Sequence, residues 1–151
     1  MFVRDIMNQC SVVCTEDMPL EKVYKLMQDN NCDHITVVEN YAHHTPIGII
    51  TEHDICIQVV GRGRNPRGLT AANVMNTNIT RALATLTLTD CALLMEETAV
   101  KHAFVVDENG TLRGTVRDED IRLTKNKLHI EDLASRVVAR EYRPSYVNRI
   151  F

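Results

Sequence analysis

Thr51 and Asp54, three positions apart, carry the clearest chemistry in the chain. They follow the apolar run Ile47-Gly48-Ile49-Ile50, where a strand should hand over to a helix. A carboxylate there can accept paired hydrogen bonds from two neighbouring hydroxyls. A threonine hydroxyl beside the unpaired amides of a helix start can meet an anion. A plainer role stays open, in which Asp54 only caps the helix, worth about 1 kcal/mol. Gly48 and Asp54 have counterparts 66 positions on, Gly114 and Asp120, but Arg117 stands where Thr51 would recur. Other chemistries find less support. No nucleophile and base stand at recognisable spacing, and there is neither a Walker loop nor a Gly-rich dinucleotide fingerprint. The five cysteines, Cys10, Cys14, Cys32, Cys56 and Cys91, show no CxxC spacing and read as reduced thiols. Cys10 and Cys14 lack a second close ligand pair among the histidines, so no metal is expected. His34 and His102 occupy equivalent places before a strand and suggest a shared packing role, while His43, His44 and His53 read as solvated.

The elements that must position Thr51 and Asp54 occur twice. Met7-Asn8 returns as Met75-Asn76, Leu26-Met27 as Leu94-Met95, and Val37-Val38 as Val105-Val106, each 68 positions on. Past a turn the offset falls to 66, as in Asp54-Ile55 and Asp120-Ile121. A register held this long indicates two copies of one supersecondary unit. In the first copy, Ser11–Thr15 reads as a strand, and Asp17 and Pro19 as the cap and first turn of a helix. Leu20, Val23, Tyr24 and Met27 follow at helical spacing. Asn30-Asn31 ends that helix, Ile35–Val38 and Ile47–Ile50 form a hairpin, and a helix runs from Thr51 to about Val60. The second copy repeats this β-α-β-β-α order through Leu88, Cys91, Ala92 and Met95. Its hairpin turns at Asn109-Gly110, two residues tighter than the turn through Tyr41–His44, which explains the change of offset. The expected divisions are 3–60 and 71–124 for the repeats, 61–70 for a linker, and 125–151 for a helix (Ile130–Val138) and tail.

Composition sets bounds. The chain has 151 residues, so each half could barely build a core alone and joint folding is expected. No apolar run approaches the roughly 18 residues of a membrane span. An acid follows Met-Phe-Val-Arg where a leader's apolar stretch would begin, so a cytoplasmic location is expected. A net charge of −3 gives no reason to expect nucleic-acid binding. The connector does carry Arg62, Arg64 and Arg67, and from Lys125 onward six Lys/Arg oppose three acids.

The order of elements and the signature Gly48-Ile49-Ile50-Thr51-Glu52-His53-Asp54-Ile55 resemble the cystathionine β-synthase (CBS) domain, here in tandem over residues 3 to 124. The resemblance implies an α/β (α+β) fold of two repeats packed with pseudo-twofold symmetry. It also implies regulation rather than catalysis, no cofactor, and a homodimer acting on a separate protein. Two clefts would take AMP, ADP, ATP or S-adenosylmethionine. One cleft would join Ile49, Thr51 and Asp54 to Met75, Ile79, Thr80, Val100 and Lys101. The other, expected to be weaker, would join Met7, Val12, Cys32 and Asp33 to Thr115, Arg117 and Asp120, with an Arg117–Asp33 pair across it. The alternative is a dimeric interaction scaffold without ligand, using the tail with Tyr142, Tyr146 and Phe151.

Overall fold

The structure, a computed structural model, describes residues 1–9 and 12–141, with side chains of the last helix described to Val137. The readings placed on Cys10, Ser11, Tyr142, Arg143, Tyr146, Arg149 and Phe151 lie outside the described residues. Met1–Asp118 form one compact unit, and the chain from Glu119 onward forms a second.

The first unit holds both repeats. Strand β1 (Val13–Thr15) precedes helix α1 (Leu20–Asp29), the hairpin β2 (His34–Val38) and β3 (Pro46–Thr51), and helix α2 (Glu52–Ile55). A wider π-turn, Cys56–Val60, continues α2, and Gly61 N–H reaches back to the Cys56 carbonyl at 2.8 Å. The second repeat gives the short helix α3 (Ala71–Val74), strand β4 (Thr80–Leu83), helix α4 (Leu88–Thr98), and strands β5 (His102–Val106) and β6 (Leu112–Arg117). Each repeat makes a three-stranded sheet, β1-β2-β3 and β4-β5-β6, with one parallel and one antiparallel pairing. A register shift falls at the same place in both, between Val37 and Val38 and between Val105 and Val106.

Of the expected α1 stripe, Leu20, Val23 and Met27 are buried, but Tyr24 faces out. The buried three pack with Cys14, Ile35, Val37 and Ile50 into the first core. That core is completed from outside the repeat, by Ala71 and Val74 of α3. Asp17 does not cap α1, because the cap comes from the same outside segment. Pro19 takes the N-cap place, Leu20 N–H donates to the Leu69 carbonyl at 2.9 Å, and Asp17 accepts the Thr15 hydroxyl.

The second repeat receives the mirror-image gift. Ala71 N–H donates to Met18 O at 2.9 Å, and its counterpart Val3 N–H donates to Leu86 O at 2.9 Å. Pro19 bridges Thr70 just as Phe2 bridges Thr87. Val3 is fully buried, a placement worth roughly 1.5–3 kcal/mol for such a side chain. The opening segment of each copy therefore packs on the other copy.

The second unit is described by itself. Helix α5 runs unbroken from Asp118 to Glu141, so the segment expected at Ile130–Val138 is part of a longer helix. No Gly or Pro interrupts it, and Asp132 pairs with Arg136 one turn on at 3.1 Å. Leu123, Ile130, Leu133 and Val137 on it are exposed.

Candidate functional site

Two more bridges join the repeats through their hairpins. Ile49 pairs with Asn76, its N–H donating to Asn76 O at 3.1 Å and Asn76 N–H donating to Ile49 O at 2.8 Å. The counterpart pairing joins Thr115 to Asn8, at 2.8 Å and 3.0 Å. Glycine is needed beside each bridge. A Cβ on Gly48 would stand 2.9 Å from Met75 Sδ and 3.2 Å from Asn76 O, and one on Gly114 would stand 2.6 Å from Asn8 O. The repeated glycines thus mark where one copy's opening segment crosses the other copy's hairpin. Beneath the bridges, Val38 and Ile49 meet Phe104, Val106 and Leu112 in an apolar cluster, with Ile79 against it.

In the first expected cleft, Ile49, Met75 and Ile79 are brought together by this crossing. Thr51 and Asp54 are bound to each other. Thr51 is the N-cap of α2, and Asp54 Oδ2 accepts its N–H and its hydroxyl, both at 2.9 Å. Asp54 N–H returns a bond to Thr51 Oγ1 at 3.0 Å. The capping box therefore occupies the Thr51 hydroxyl as both donor and acceptor, leaving Asp54 Oδ1 without a partner among the described residues. Thr80 is buried, its hydroxyl 2.7 Å from that of Thr98. Val100 is part-buried and follows the left-handed Ala99. The Lys101 side chain is exposed, while its carbonyl accepts from Asp118 N–H at 3.0 Å. No hydrogen bond or ion pair among the described residues joins the Thr51–Asp54 box to Thr80, Val100 or Lys101.

In the second expected cleft, Met7 lies against Gly114, with Sδ 3.0 Å from where a Cβ would be. Val12 is part-buried and packs against the first core. Cys32 is half-buried, its thiol 3.4 Å from Asn30 O. Arg117 Nη1 lies 3.7 Å from Asp33 Oδ2, the pairing expected from sequence. Asp33 also holds His34 Nδ1 at 2.8 Å. The His34 hydrogen bond is the main influence that draws the Asp33 carboxyl below its ordinary value, outweighing partial desolvation, with the His34 and Arg117 charges adding to it. The Thr115 hydroxyl is buried and meets His34 Nε2 at 3.2 Å. Asp120 belongs to α5, where its carbonyl accepts the Thr124 hydroxyl at 2.8 Å.

Sequence reasoning assigned His34 and His102 to packing. The structure sets the two rings against each other, 5.3 Å apart centroid to centroid, a direct contact that the reading did not foresee. Their matched places in the repeat were the available signal, because a pseudo-twofold axis brings equivalent residues near it face to face. Among the described residues, no group of three His, Cys, Asp or Glu side chains could hold a metal ion. No described helix is long and apolar enough to cross a membrane. A surface depression of about 320 Å³ lies at the linker, lined by Pro19, Pro66 and Leu69 among others. It includes no residue of either cleft, and its Arg67 sits 3.9 Å from Glu21.

Comparisons with known proteins agree with this architecture. Uncharacterized protein MK0525 of Methanopyrus kandleri is 31% identical over 102 residues, covering 68% of this chain and 50% of its own length. The chain thus spans about half of that relative. Among solved structures, the CBS domain pair of protein MJ0100, in complex with 5′-methylthioadenosine and S-adenosyl-L-methionine, superposes with a TM-score of 0.68. It is 23% identical, covering 84% of this chain and 98% of that one. A hexameric CBS-CP12 protein from bloom-forming cyanobacteria gives a TM-score of 0.73 at 24% identity, covering 97% and 88%. An uncharacterized conserved protein from Pyrococcus horikoshii gives 0.69 at 18% identity, covering 82% and 91%. A family model for the CBS domain matches residues 3–61 and again 71–124, and the chain belongs to the CBS domain family as a tandem pair.

Proposed function

We propose that this chain is a regulatory module that binds an adenosine-bearing ligand, namely AMP, ADP, ATP or S-adenosylmethionine, between its repeats. The favoured cleft is that of Ile49, Thr51, Asp54, Met75, Ile79, Thr80, Val100 and Lys101. The observation that carries the reading is the Ile49–Asn76 bridge, which brings Met75 and Ile79 beside the strand that ends at Thr51, just ahead of Asp54 on α2. Apolar Ile49, Met75 and Ile79 would sandwich a flat base. Asp54 Oδ1 would accept from a ribose hydroxyl, and the exposed Lys101 would meet phosphate or carboxylate. A bound ligand would tie the two copies together and shift their angle, or the packing of a homodimer, for a separate protein to read. The cleft of Met7, Val12, Cys32, Asp33, Thr115, Arg117 and Asp120 would bind more weakly, since Arg117 and Thr115 already engage Asp33 and His34. No catalytic step is assigned. Thermal melting with each of the four ligands tests this. A ligand at a hundred times its Kd adds about 2.7 kcal/mol, and Asp54→Ala should weaken its binding at least tenfold. Full affinity in Asp54→Ala, with loss in Asp120→Ala, would reverse the ranking of the clefts.

The mutual bonding of Thr51 and Asp54 favours a second reading, a scaffold that takes no ligand and binds a partner protein. In that case none of the four ligands moves the melting curve.

A further inference from the structure

His34 and His102 open β2 and β5, and the crossed packing of the repeats sets their rings 5.3 Å apart at 45°. His34 is buried and His102 partly so. A carboxylate only accepts, so the 2.8 Å contact with Asp33 means that His34 Nδ1 carries a hydrogen. Neutral His34 then accepts from the Thr115 hydroxyl through Nε2. A charged His34 donates to that hydroxyl, which must turn around. The charged groups on the surrounding elements are Asp33 before β2, Glu52 at the start of α2, Lys101 before β5, Arg117 at the end of β6, and Asp118 after it. Arg117 is also the strand partner of His102. A second imidazolium would therefore sit against both a first one and a guanidinium, in a place that water reaches poorly.

We propose that His34 and His102 form a proton-sensitive latch on the seam between the repeats. The closed seam holds at most one imidazolium, and a second proton loosens the Ile49–Asn76 and Asn8–Thr115 bridges. The proton is thus a regulatory input that needs no ligand, although the latch's contacts include Asp33, Thr115 and Arg117 of the second cleft. Burial is the main cause holding His102 below its ordinary value of 6.5, and the His34 charge adds to it. Asp33 pulls the other way, Arg117 lowers it further, and Asp118 raises it. The folded value is the depressed one, so the neutral ring contributes stability that is complete above pH 6.5 and is lost as pH falls through the folded value. In that window unfolding takes up one proton, and the unfolding constant rises up to about tenfold per pH unit.

Imidazole NMR of the full chain without ligand, from pH 5 to 8.5, tests the latch together with amide-exchange protection at Asn8, Ile49, Asn76 and Thr115. His102 should titrate below 6.5 and move upward in His34→Gln. The four protection factors should fall on acidification in the natural chain and hold in His102→Gln. Three results would overturn the proposal: a His102 that titrates at or above its ordinary value, protection that ignores pH, or an equal loss of protection in His102→Gln. Should His34→Gln fail to fold, the natural chain and His102→Gln still decide. No nucleotide enters the measurement, so its failure leaves the ligand reading untouched, and ligand failure leaves the latch untouched.

Discussion

Adding a single methyl group at Gly114 probes the joint between the repeats. The new Cβ would stand 2.6 Å from the Asn8 carbonyl oxygen, where ordinary contact begins at 3.4 Å, so backbone must retreat from backbone. The two hydrogen bonds between Asn8 and Thr115 lie next to that contact, and each contributes about 1 kcal/mol. Overpacking itself costs typically 1–3 kcal/mol, and loss of one of the two bonds adds about 1 kcal/mol, so Gly114→Ala should lose about 2–4 kcal/mol. Gly48→Ala provides the comparison. Its first obstacle, at 2.9 Å, is the Met75 sulfur, the end of a flexible side chain, and the Asn76 carbonyl lies further off at 3.2 Å. We expect a loss of about 1–2 kcal/mol there. Urea unfolding followed by circular dichroism measures both. A double-mutant cycle separates the causes: Met75→Ala should recover part of the Gly48→Ala loss, whereas Met7→Ala should not rescue Gly114→Ala. A Gly114→Ala chain that unfolds within about 0.5 kcal/mol of the natural one, or that loses less than Gly48→Ala, would refute a tight backbone crossing at Gly114.

Thr36 is fully buried on the middle strand and its hydroxyl has no partner among the described residues. The isosteric Thr36→Val should gain about 1 kcal/mol in thermal melting, and a loss would show that the hydroxyl is satisfied. Ala99 ends α4 at φ 54°, where its counterpart Asn31 sits at φ 51°. Ala99→Gly should therefore stabilise the chain by about 0.5–1 kcal/mol, and a drop in the urea midpoint would contradict this. Burial pushes the Cys14 thiol up to about 12 and raises that of Cys91, while Cys56 is exposed. Brief iodoacetamide treatment at pH 8 should label Cys56 and spare Cys14 and Cys91 until denaturant is added. Peptide mass mapping reads the result, and prompt labelling of Cys14 would contradict its burial.

Local pattern told a good deal. The helical stripe of Leu20, Val23 and Met27 and the strand-like runs Phe104–Val106 and Leu112–Val116 are signals within one element, and these elements formed where expected. The matched glycines were legible too, though their reason, a crossing chain at van der Waals distance, was not. What escaped was non-local. Nothing near Asp17 tells that the α1 amide it might have served goes to Leu69, 49 residues away. Thr51-x-x-Asp54 was recognised for the ligand it could bind, yet the same spacing closes a capping box. Spacing alone does not distinguish a preformed site from a helix start at rest. His34 and His102 were noticed as equivalents, but their contact depends on a symmetry axis that a linear sequence does not display.

The reciprocal placement of Val3 and Ala71, each seated in the neighbouring half, has a bearing on ancestry. A lone ancestral repeat would have had a hollow in its own core and a loose end able to fill the same hollow in a twin. Two such molecules satisfy each other as partners, with no new surface to invent. Fusing their genes turns that mutual embrace into an internal one. A modern fragment cut within Gly61–Gly68 should accordingly regain order by finding the severed half, or a second copy of itself.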